Sequence, residues 1–250
     1  MSIQELIVGL PAPKPLSLGE TALFLDLDGT LAPIAARPQD VRPDPRRTSL
    51  LERLAQRLDG RLAVVSGRTL ADVDRILEGC VHAVAAVHGL VRREADGTLF
   101  QARPHPGLAQ ATDGFRAFAA RDSGLIVEEK AGLSVALHFR LASRHAAAAK
   151  AYARALAGET GLALQDGDMV EELRTPGPTK GDSVRAFMAQ PPFAGARPVF
   201  VGDDATDEDG FAAAQALGGV GVGVGGARPT LARFRLVGVE AALDWLEAAL

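Results

Sequence analysis

Two aspartates separated by one residue lie near the start of the chain and could do chemistry on an anionic ester. Thr21 to Leu27 is a nearly continuous apolar run that includes Asp26, and such a run is typical of a buried parallel strand. Asp28 and Gly29 follow it and form a turn signal. If strand geometry continues through Asp28, the two carboxylates point the same way. One carboxylate could then attack phosphorus while the other transfers a proton, which divides one difficult displacement into two easier ones.

Three more aspartates follow a predicted strand in the last quarter of the chain. The apolar run Pro198 to Val201 is followed by Asp203, Asp204 and Asp207. In open α/β sheets ligands bind at the carboxyl ends of the strands, so we expect these aspartates to lie beside Asp26. Carboxylates brought this close repel one another unless a cation lies among them. Oxygen ligands next to a phosphate favour Mg²⁺, whereas Zn²⁺ would need a cluster of histidines or cysteines.

Two further segments could supply the hydrogen-bond donors and positive charge that a transferred phosphoryl group needs. Ser66 and Gly67 follow a predicted strand at Leu62 to Val65 and offer a hydroxyl and an unhindered N–H. Lys180 follows Thr179, a residue type that caps helices, so its charge would lie at a helix N-terminus, which itself favours anions. Alone, Ser66 is an ordinary strand-end serine and Lys180 is typical of a surface lysine.

The elements that must position these side chains alternate between strands and helices. Strand, helix, strand, helix, strand is the predicted order from Thr21 to Val87, and the same alternation resumes after Pro178. This order indicates crossover connections and a parallel sheet. Between the two flanks the pattern changes to helix, two strands, helix, two strands. We therefore predict a doubly wound, Rossmann-like α/β core at residues 1–103 and 176–250, with an inserted α+β cap at residues 104–175.

Composition and charge argue against several classes of protein. The net charge is −4, whereas nucleic acids and anionic membranes favour a basic face. The sequence lacks an apolar run of about 18 residues that would predict a membrane span, and its start, MSIQELIVGLPAPKP, lacks the basic segment of a signal peptide. The single cysteine, Cys80, fits a reducing compartment. We therefore predict a cytoplasmic monomer that binds a small molecule, with neither a nucleic-acid nor a membrane partner.

Four short segments occur in the order DLDGT, SGR, PTKGD and GDDATDEDGF. In that order they resemble the four motifs of the haloacid dehalogenase superfamily of phosphatases, and the resemblance spans Leu23 to Phe211. It implies that Asp26 is the nucleophile and that Asp28 is the general acid and base. The Mg²⁺ ligands that the resemblance implies are Asp26, the backbone carbonyl of Asp28 and Asp203, with Asp204 and Asp207 acting from farther away or through water.

Further segments are similar to the trehalose-6-phosphate phosphatase family within that superfamily. These segments are Ser66 to Arg68, Val87 to Gly89, Glu128 to Lys130, Ala136 to Arg140 and Val170 to Arg174. The family has its α/β cap between the second and third motifs, where the cap is predicted here. The resemblance implies that Glu128, Lys130 and Glu172 hold the distal glucose ring. The other substrate contacts that we predict are Gly29, Gly67, Arg68, His88, Gly89 and Arg140.

This sequence departs from the family pattern at two places. Leu90 and Val91 stand where the family usually has an acidic residue after the His-Gly pair. Lys130 and His138 are separated by one residue more than usual, which leaves Glu129 as an alternative to Glu128.

The resemblance implies hydrolysis of trehalose 6-phosphate to trehalose and phosphate through a phospho-aspartyl intermediate. The core motifs are equally compatible with a phosphatase of sucrose phosphate or mannosyl phosphoglycerate, because the cap alone reads the leaving group. A catalytically silent sugar-phosphate sensor is a further alternative, although a sensor would have no need to keep the nucleophile.

The glycine-rich segment Gly218 to Gly226 superficially contains the GxGxxG pattern of dinucleotide-binding proteins. That pattern is informative when it follows a strand and opens a helix. Because no helix is predicted directly after this segment, we interpret it as a strand followed by a turn.

Overall fold

The computed structural model describes residues 9–250, and the chain divides into two units. The first unit comprises the described residues up to Leu99 together with Pro178–Leu250, and the second comprises Phe100–Gly177. The first eight residues, on which part of the signal-peptide prediction rests, lie outside the described residues. Among the helices of the described part, none is both long and apolar enough to cross a membrane.

The main sheet has eight strands within residues 9–250, most of them in the first unit. They are β1 (Thr21–Leu25), β2 (Leu62–Val65), β3 (Ala83–Ala86), β4 (Val91–Arg93), β5 (Leu99–Gln101), β10 (Arg197–Gly202), β11 (Val220–Val224) and β12 (Phe234–Leu236). Their order across the sheet is β12-β11-β10-β1-β2-β3-β4-β5. Strand β1 pairs in parallel with β10 on one side and with β2 on the other. The strand order therefore reverses at β1, where ligand sites form in doubly wound folds.

Within the described residues of the first unit, five α-helices accompany this sheet. They are α1 (Pro45–Arg57), α2 (Leu70–Leu77), α5 (Lys180–Met188), α6 (Glu208–Ala216) and α7 (Val239–Glu247). Thr69 and Thr179 cap α2 and α5 through their side-chain oxygens, and the cap at Thr179 is the one predicted from the sequence. On one side of the sheet, Phe24 of β1 stacks on Phe193 with ring centroids 5.5 Å apart. The buried aromatic and aliphatic side chains of this core fix the strands whose ends carry the polar segments.

The second unit is an antiparallel sheet with two helices. Its strands are β6 (Ile126–Lys130), β7 (Ser134–His138), β8 (Ala163–Gly167) and β9 (Val170–Arg174), in the order β6-β7-β9-β8, and its helices are α3 (Leu108–Ala119) and α4 (Ala146–Thr160). The order helix, two strands, helix, two strands is the one predicted. Val135, Leu137 and Leu173 share a hydrophobic core with the helices. Because side chains alternate between the faces of a strand, Glu128, Lys130 and Glu172 lie on the opposite face.

The structure contains three short strands that the sequence analysis did not predict. Strands β4 and β5 flank a turn in which Glu94 N–H donates to Thr98 O at 2.8 Å, and β12 adds to the other end of the sheet. Strand β4 runs antiparallel to β3, so the predicted parallel sheet is mixed at that end. Each of these strands has three residues, which is too few for an alternating pattern to stand out.

Candidate active site

Asp26, Lys180 and Asp207 form a buried ion-paired group at the carboxyl end of β1. The N–H of Asp26 donates to Val201 O of β10 at 2.9 Å, which extends the pairing one residue beyond β1. Lys180, the first residue of α5, places Nζ 2.7 Å from Asp26 Oδ1 and 2.7 Å from Asp207 Oδ1. The exposed fractions of Asp26, Lys180 and Asp207 are 4%, 3% and 0%. One lysine therefore joins two carboxylates that come from different strand ends.

Negative charge exceeds positive charge in this group, and the pKa values reflect it. Burial raises the pKa of Asp26 well above its usual value; Lys180 opposes the rise, and Asp207 and Asp203 add to it. Burial, followed by the carboxylate of Asp207, raises the pKa of Asp203 to about 7. Burial acts to lower the pKa of Lys180, but Asp207 and Asp26 together raise it above its usual value. A further positive charge beside Asp26 and Asp203 would stabilise both carboxylates.

Asp207 organises the loop that carries the other aspartates. Its Oδ2 accepts the N–H of Asp203 at 2.9 Å and the N–H of Asp204 at 3.0 Å. A Cβ atom on Gly202 would lie 2.3 Å from Asp207 Cγ, so a glycine is needed for this close approach. The Asp204 carboxylate turns toward the following helix and accepts Ala205 N–H at 2.6 Å. Both oxygens of Asp207 thus have protein partners, and the residue acts as a scaffold for Asp203.

The carboxylates fit a divalent cation with oxygen ligands. Asp26, Asp203 and Asp207 each offer an oxygen, and these atoms lie within 4.8 Å of one another. Asp203 Oδ1 is buried and has no hydrogen-bond partner among the described residues. A buried carboxylate oxygen without a partner is costly, and Mg²⁺ takes one or two such carboxylates in a site. The orphaned Asp203 oxygen is therefore the strongest structural indication of a cation here.

Asp28 lies beyond the end of β1 and is held by Arg68. Arg68 Nε is 2.6 Å from Asp28 Oδ2, a second guanidinium nitrogen is 2.8 Å from Asp28 Oδ1, and a third donates to Pro38 O at 2.8 Å. Such a two-point contact fixes the plane of the carboxylate. The expectation that Asp26 and Asp28 point the same way required strand geometry to continue. Strand β1 ends at Leu25. The Asp26 carboxylate contacts Lys180, whereas the Asp28 carboxylate contacts Arg68.

Gly29 allows the loop that carries Asp203 to approach the turn after β1. Its φ is +82°, which favours glycine. A Cβ atom at this position would lie 2.0 Å from Asp203 Oδ2. The turn itself is closed by Gly29 N–H donating to Ala32 O at 2.7 Å. The DLDGT segment therefore needs glycine for the position of Asp203 as well as for the turn.

The segments that follow β2 and β3 are joined to each other. His88 N–H donates to Ser66 O at 2.9 Å, and Ser66 Oγ accepts the N–H of Arg68 at 3.2 Å. A Cβ on Gly67 would lie 2.5 Å from the imidazole of His88. Val87 and His88 have φ of +47° and +56°, a conformation that costs about 1–3 kcal/mol per residue and that the surrounding contacts must stabilise.

Gly89 brings the same segment against the start of α5. Its φ is +106°, and a Cβ atom there would lie 2.5 Å from Ser183 Oγ and 2.7 Å from Thr179 O. The residues that the sequence analysis assigned to the core site therefore lie at one edge of the first unit, at the carboxyl ends of β1, β2, β3 and β10 and at the start of α5.

In the second unit, the predicted sugar-binding residues lie on the sheet face opposite the helices. Glu172 accepts hydrogen bonds from Lys130 Nζ and from Ser134 Oγ, both at 2.6 Å. His138 Nε2 lies 2.8 Å from Glu128 Oε2. Burial acts to raise the pKa of Glu128, but His138 and Lys130 hold the net value below the usual one. These contacts hold the charged groups in fixed positions within this unit.

Glu129 and Arg140 are arranged differently. Glu129 pairs with Arg116 of α3 on the helix side of the sheet, so it does not share a face with Lys130. Arg140 donates to Asp168 O and Oδ2 at 2.8 and 2.9 Å. Sequence reasoning had not named Ser134, although it lies directly opposite Lys130 in the β6–β7 hairpin.

Comparison with known proteins gives a consistent set of similarities. A family model described as trehalose-phosphatase matches residues 24–239. The trehalose-6-phosphate phosphatase of Escherichia coli (strain K12) is 37% identical over 228 residues, covering 90% of this chain and 85% of that protein. A probable trehalose-phosphate phosphatase of Sinorhizobium fredii is 37% identical over 236 residues, covering 93% and 88%. The matched residues include both units.

Solved structures show the same fold. The C-terminal domain of a C. albicans trehalose-6-phosphate phosphatase has a TM-score of 0.84 at 21% identity, covering 96% of this chain and 98% of that one. A protein described as related to trehalose-6-phosphate phosphatase has a TM-score of 0.75 at 26% identity, covering 90% and 95%. At 16% identity, a haloacid dehalogenase-superfamily phosphatase from Bacteroides thetaiotaomicron has a TM-score of 0.61 and covers 90% and 92%. The doubly wound core with an inserted α+β unit, predicted from the sequence, is confirmed.

Proposed function

The chain belongs to the trehalose-phosphatase family, and from that premise we propose that it hydrolyses trehalose 6-phosphate to trehalose and phosphate with Asp26 as the nucleophile. The observation that carries the proposal is the buried Asp26 carboxylate, held by Lys180 where the strand order reverses. Lys180 places a positive charge beside the carboxylate, which opposes the rise in the pKa of Asp26 that burial causes. A cation bound beside Asp26 would favour its ionised, nucleophilic form further.

In the first step, an Asp26 oxygen attacks phosphorus, and the bond between phosphorus and the sugar oxygen breaks. Asp28 gives a proton to the departing alkoxide. In the second step, Asp28 takes a proton from the water that attacks phosphorus, and phosphate leaves with Asp26 regenerated. The two-point contact from Arg68 supports a role in orienting Asp28, in addition to the substrate contact proposed for Arg68. Ser66 and Gly67 would donate to the transferred oxygens.

We propose that Mg²⁺ is held by Asp26, the backbone carbonyl of Asp28 and Asp203. The fit rests on the buried Asp203 Oδ1, which has no hydrogen-bond partner within residues 9–250, and on the all-oxygen donor set. When bound, the ion would neutralise part of the negative charge that the carboxylates and the phosphoryl group bring together. Asp207 and Asp204 would act from farther away or through water. Asp207 holds the loop by accepting the N–H of Asp203, and Asp204 accepts the N–H of Ala205.

Gly29→Ala is expected to weaken Mg²⁺ binding, because the new Cβ atom must displace the Asp203 carboxylate. Isothermal titration of Mg²⁺ into the protein checks this. Gly97→Ala is the matched control, since Gly97 has a φ of +88° and nothing within 4 Å of its Cβ position. Both variants should lose about 1–2 kcal/mol of stability to the left-handed backbone. Equal Mg²⁺ affinities for the two variants would contradict the role of Gly29.

We propose that residues 104–175 form the cap that binds the sugar and determines substrate specificity. Two carboxylates and an ammonium group on one sheet face can bond several hydroxyls of a distal glucose ring, and such charge-assisted bonds are strong. Glu128 shares that face with Lys130 and Glu172, which favours it over Glu129. We propose that Arg140 contributes from the end of the same face, and that Gly29, Gly67, Arg68, His88 and Gly89 line the phosphate side. We further propose that the enzyme is a cytoplasmic monomer.

The substrate is tested by phosphate release from trehalose 6-phosphate, sucrose 6-phosphate and glucose 6-phosphate, each with Mg²⁺ and with a chelator. We expect metal-dependent release that strongly favours the trehalose ester. Faster release from the sucrose ester would reassign the protein to another sugar phosphatase. Binding without release from any ester would support a silent sensor.

Glu128→Gln tests, in the same assay, whether Glu128 binds the distal glucose ring. It is expected to lower kcat/KM for trehalose 6-phosphate by about tenfold or more, the loss of one hydrogen bond to a charged group. Activity on glucose 6-phosphate should stay unchanged, because that ester has no distal ring. Glu129→Gln is the control, since its carboxylate pairs with Arg116 on the other face. If Glu129→Gln lowered kcat/KM for trehalose 6-phosphate and Glu128→Gln did not, the contact with the distal ring would be assigned to Glu129.

A further inference from the structure

Arg228 follows the glycine-rich segment and extends its side chain to the aspartate loop, defined here as residues 203–207. Its Nε donates to Asp203 O at 3.2 Å, and a terminal nitrogen donates to Asp204 O at 2.6 Å. The other terminal nitrogen lies 2.9 Å from Glu208 Oε1. Glu208 in turn accepts Leu231 N–H at 2.7 Å. The glycine-rich segment Gly218 to Gly226 therefore forms a strand and a turn, and Arg228 after it contacts this loop.

The backbone of the aspartate loop is held from two sides. The N–H groups of Asp203 and Asp204 donate to Asp207 Oδ2, and the carbonyl groups of the same two residues accept from Arg228. A charged partner on each side restricts rotation of the peptide groups that flank Asp203 and Asp204, because charge-assisted hydrogen bonds are the strong ones. The direction of the Asp203 side chain follows from that restriction, and its buried Oδ1 has no partner in the part of the chain that the structure describes.

We propose that Arg228 is a positioning residue that fixes Asp203 for Mg²⁺ binding, an inference that rests on the metal site of the proposed function. Mg²⁺ requires near-ideal octahedral geometry, so a loosened Asp203 binds it less well. The positive charge of Arg228 acts in the opposite direction, because a cation near the site repels Mg²⁺. Removing the charge alone would tighten Mg²⁺ binding, whereas removing the positioning contacts weakens it. The sign of the change therefore separates the two effects.

The test is isothermal titration of Mg²⁺ into the full-length protein without substrate, for wild type, Arg228→Met and Arg228→Lys. We expect the methionine variant to bind Mg²⁺ about 10- to 100-fold more weakly, the usual effect of losing a residue that supports a metal ligand. The lysine variant keeps the charge but lacks the planar fork, so its affinity should also fall. Unchanged or tighter binding by the methionine variant would overturn the proposal.

Arg61→Met is the matched control. Arg61 also donates to backbone carbonyls, of Thr21 at 3.1 Å and Gly19 at 3.1 Å, but these lie at the start of β1, at the opposite edge of the sheet. This variant should lose stability while its Mg²⁺ affinity stays that of wild type. A comparable loss of Mg²⁺ affinity in Arg61→Met would mean that general loosening explains the result, and the inference would fail.

Hydrogen exchange without Mg²⁺ gives an independent readout of positioning. Amides of residues 203–207 should exchange faster in Arg228→Met than in wild type, and should be unchanged in Arg61→Met. Equal exchange in wild type and Arg228→Met would contradict the positioning role. A wild-type protein that binds no Mg²⁺ would also overturn the inference, whereas a failure of phosphate release with intact Mg²⁺ binding would count against the proposed function alone.

Discussion

Replacing Asp26 with asparagine is expected to abolish phosphate release from trehalose 6-phosphate, with kcat lowered by about 10⁴-fold or more, as for other removed nucleophiles. Asparagine keeps the shape and can accept the hydrogen bond from Lys180, but its amide oxygen does not form the acyl phosphate. The folded state should persist, because burial and the carboxylates of Asp207 and Asp203 already disfavour the charge on Asp26. Steady-state kinetics with saturating Mg²⁺, together with thermal unfolding, measure both effects.

Asp209→Asn provides the control for this substitution. Asp209 belongs to the same acidic segment, GDDATDEDGF, but its side chain is exposed on α6. Its replacement removes the same formal charge two residues from Asp207 and should leave kcat close to that of wild type. An Asp26→Asn protein with near wild-type kcat, or an equally inactive Asp209→Asn protein, would contradict the assignment of the nucleophile.

The second large effect is expected for Lys180→Met, which should lose activity and also destabilise the first unit. Removing one partner of a buried ion pair leaves an uncompensated charge, which costs about 3–5 kcal/mol. Here two carboxylates, Asp26 and Asp207, lose their shared partner. Urea unfolding measures the loss. Lys14→Met is the control, because Lys14 is exposed and its replacement leaves no buried carboxylate without a partner.

A double substitution distinguishes this electrostatic cause from a packing defect. Adding Asp26→Asn to Lys180→Met removes one of the two uncompensated charges, so part of the lost stability should return although activity stays absent. Contacting residues give such non-additive free energies in double-mutant cycles. Strictly additive losses would show that the lysine stabilises the fold by packing, and the charge argument would be wrong.

The main features of this fold follow from the sequence because parallel sheets impose strong rules. Apolar runs such as Thr21 to Leu25 are buried on both faces, and their carboxyl ends meet at one edge of the sheet. That rule was sufficient to predict that Asp26 and Asp203 lie together, as the structure shows. Thr179 and Lys180 were also predicted at the start of a helix, because a capping residue identifies that position from local sequence.

Other features depend on contacts between distant residues and were not predictable. The direction of Asp28 is set by the end of β1 and by Arg68, 40 residues away. Arg228 reaches backbone carbonyls 24 and 25 residues away. Contacts to backbone carbonyls require no particular residue type at the acceptor, so they leave no motif in the sequence. The contact between Asp28 and Arg68, and the contacts of Arg228, could therefore be recognised only in the folded chain.

The central claim is that the phosphoryl group passes through Asp26, and trapping that intermediate tests it most directly. Trehalose 6-phosphate labelled with ³²P is mixed with the Mg²⁺-loaded protein, quenched in acid within the first turnover, and digested. We predict label on the peptide that contains Asp26, appearing and decaying at the rate of phosphate release and absent in Asp26→Asn. Two results together would contradict the account: wild-type protein that releases all the phosphate without becoming labelled at any time, and an Asp26→Asn variant that remains active.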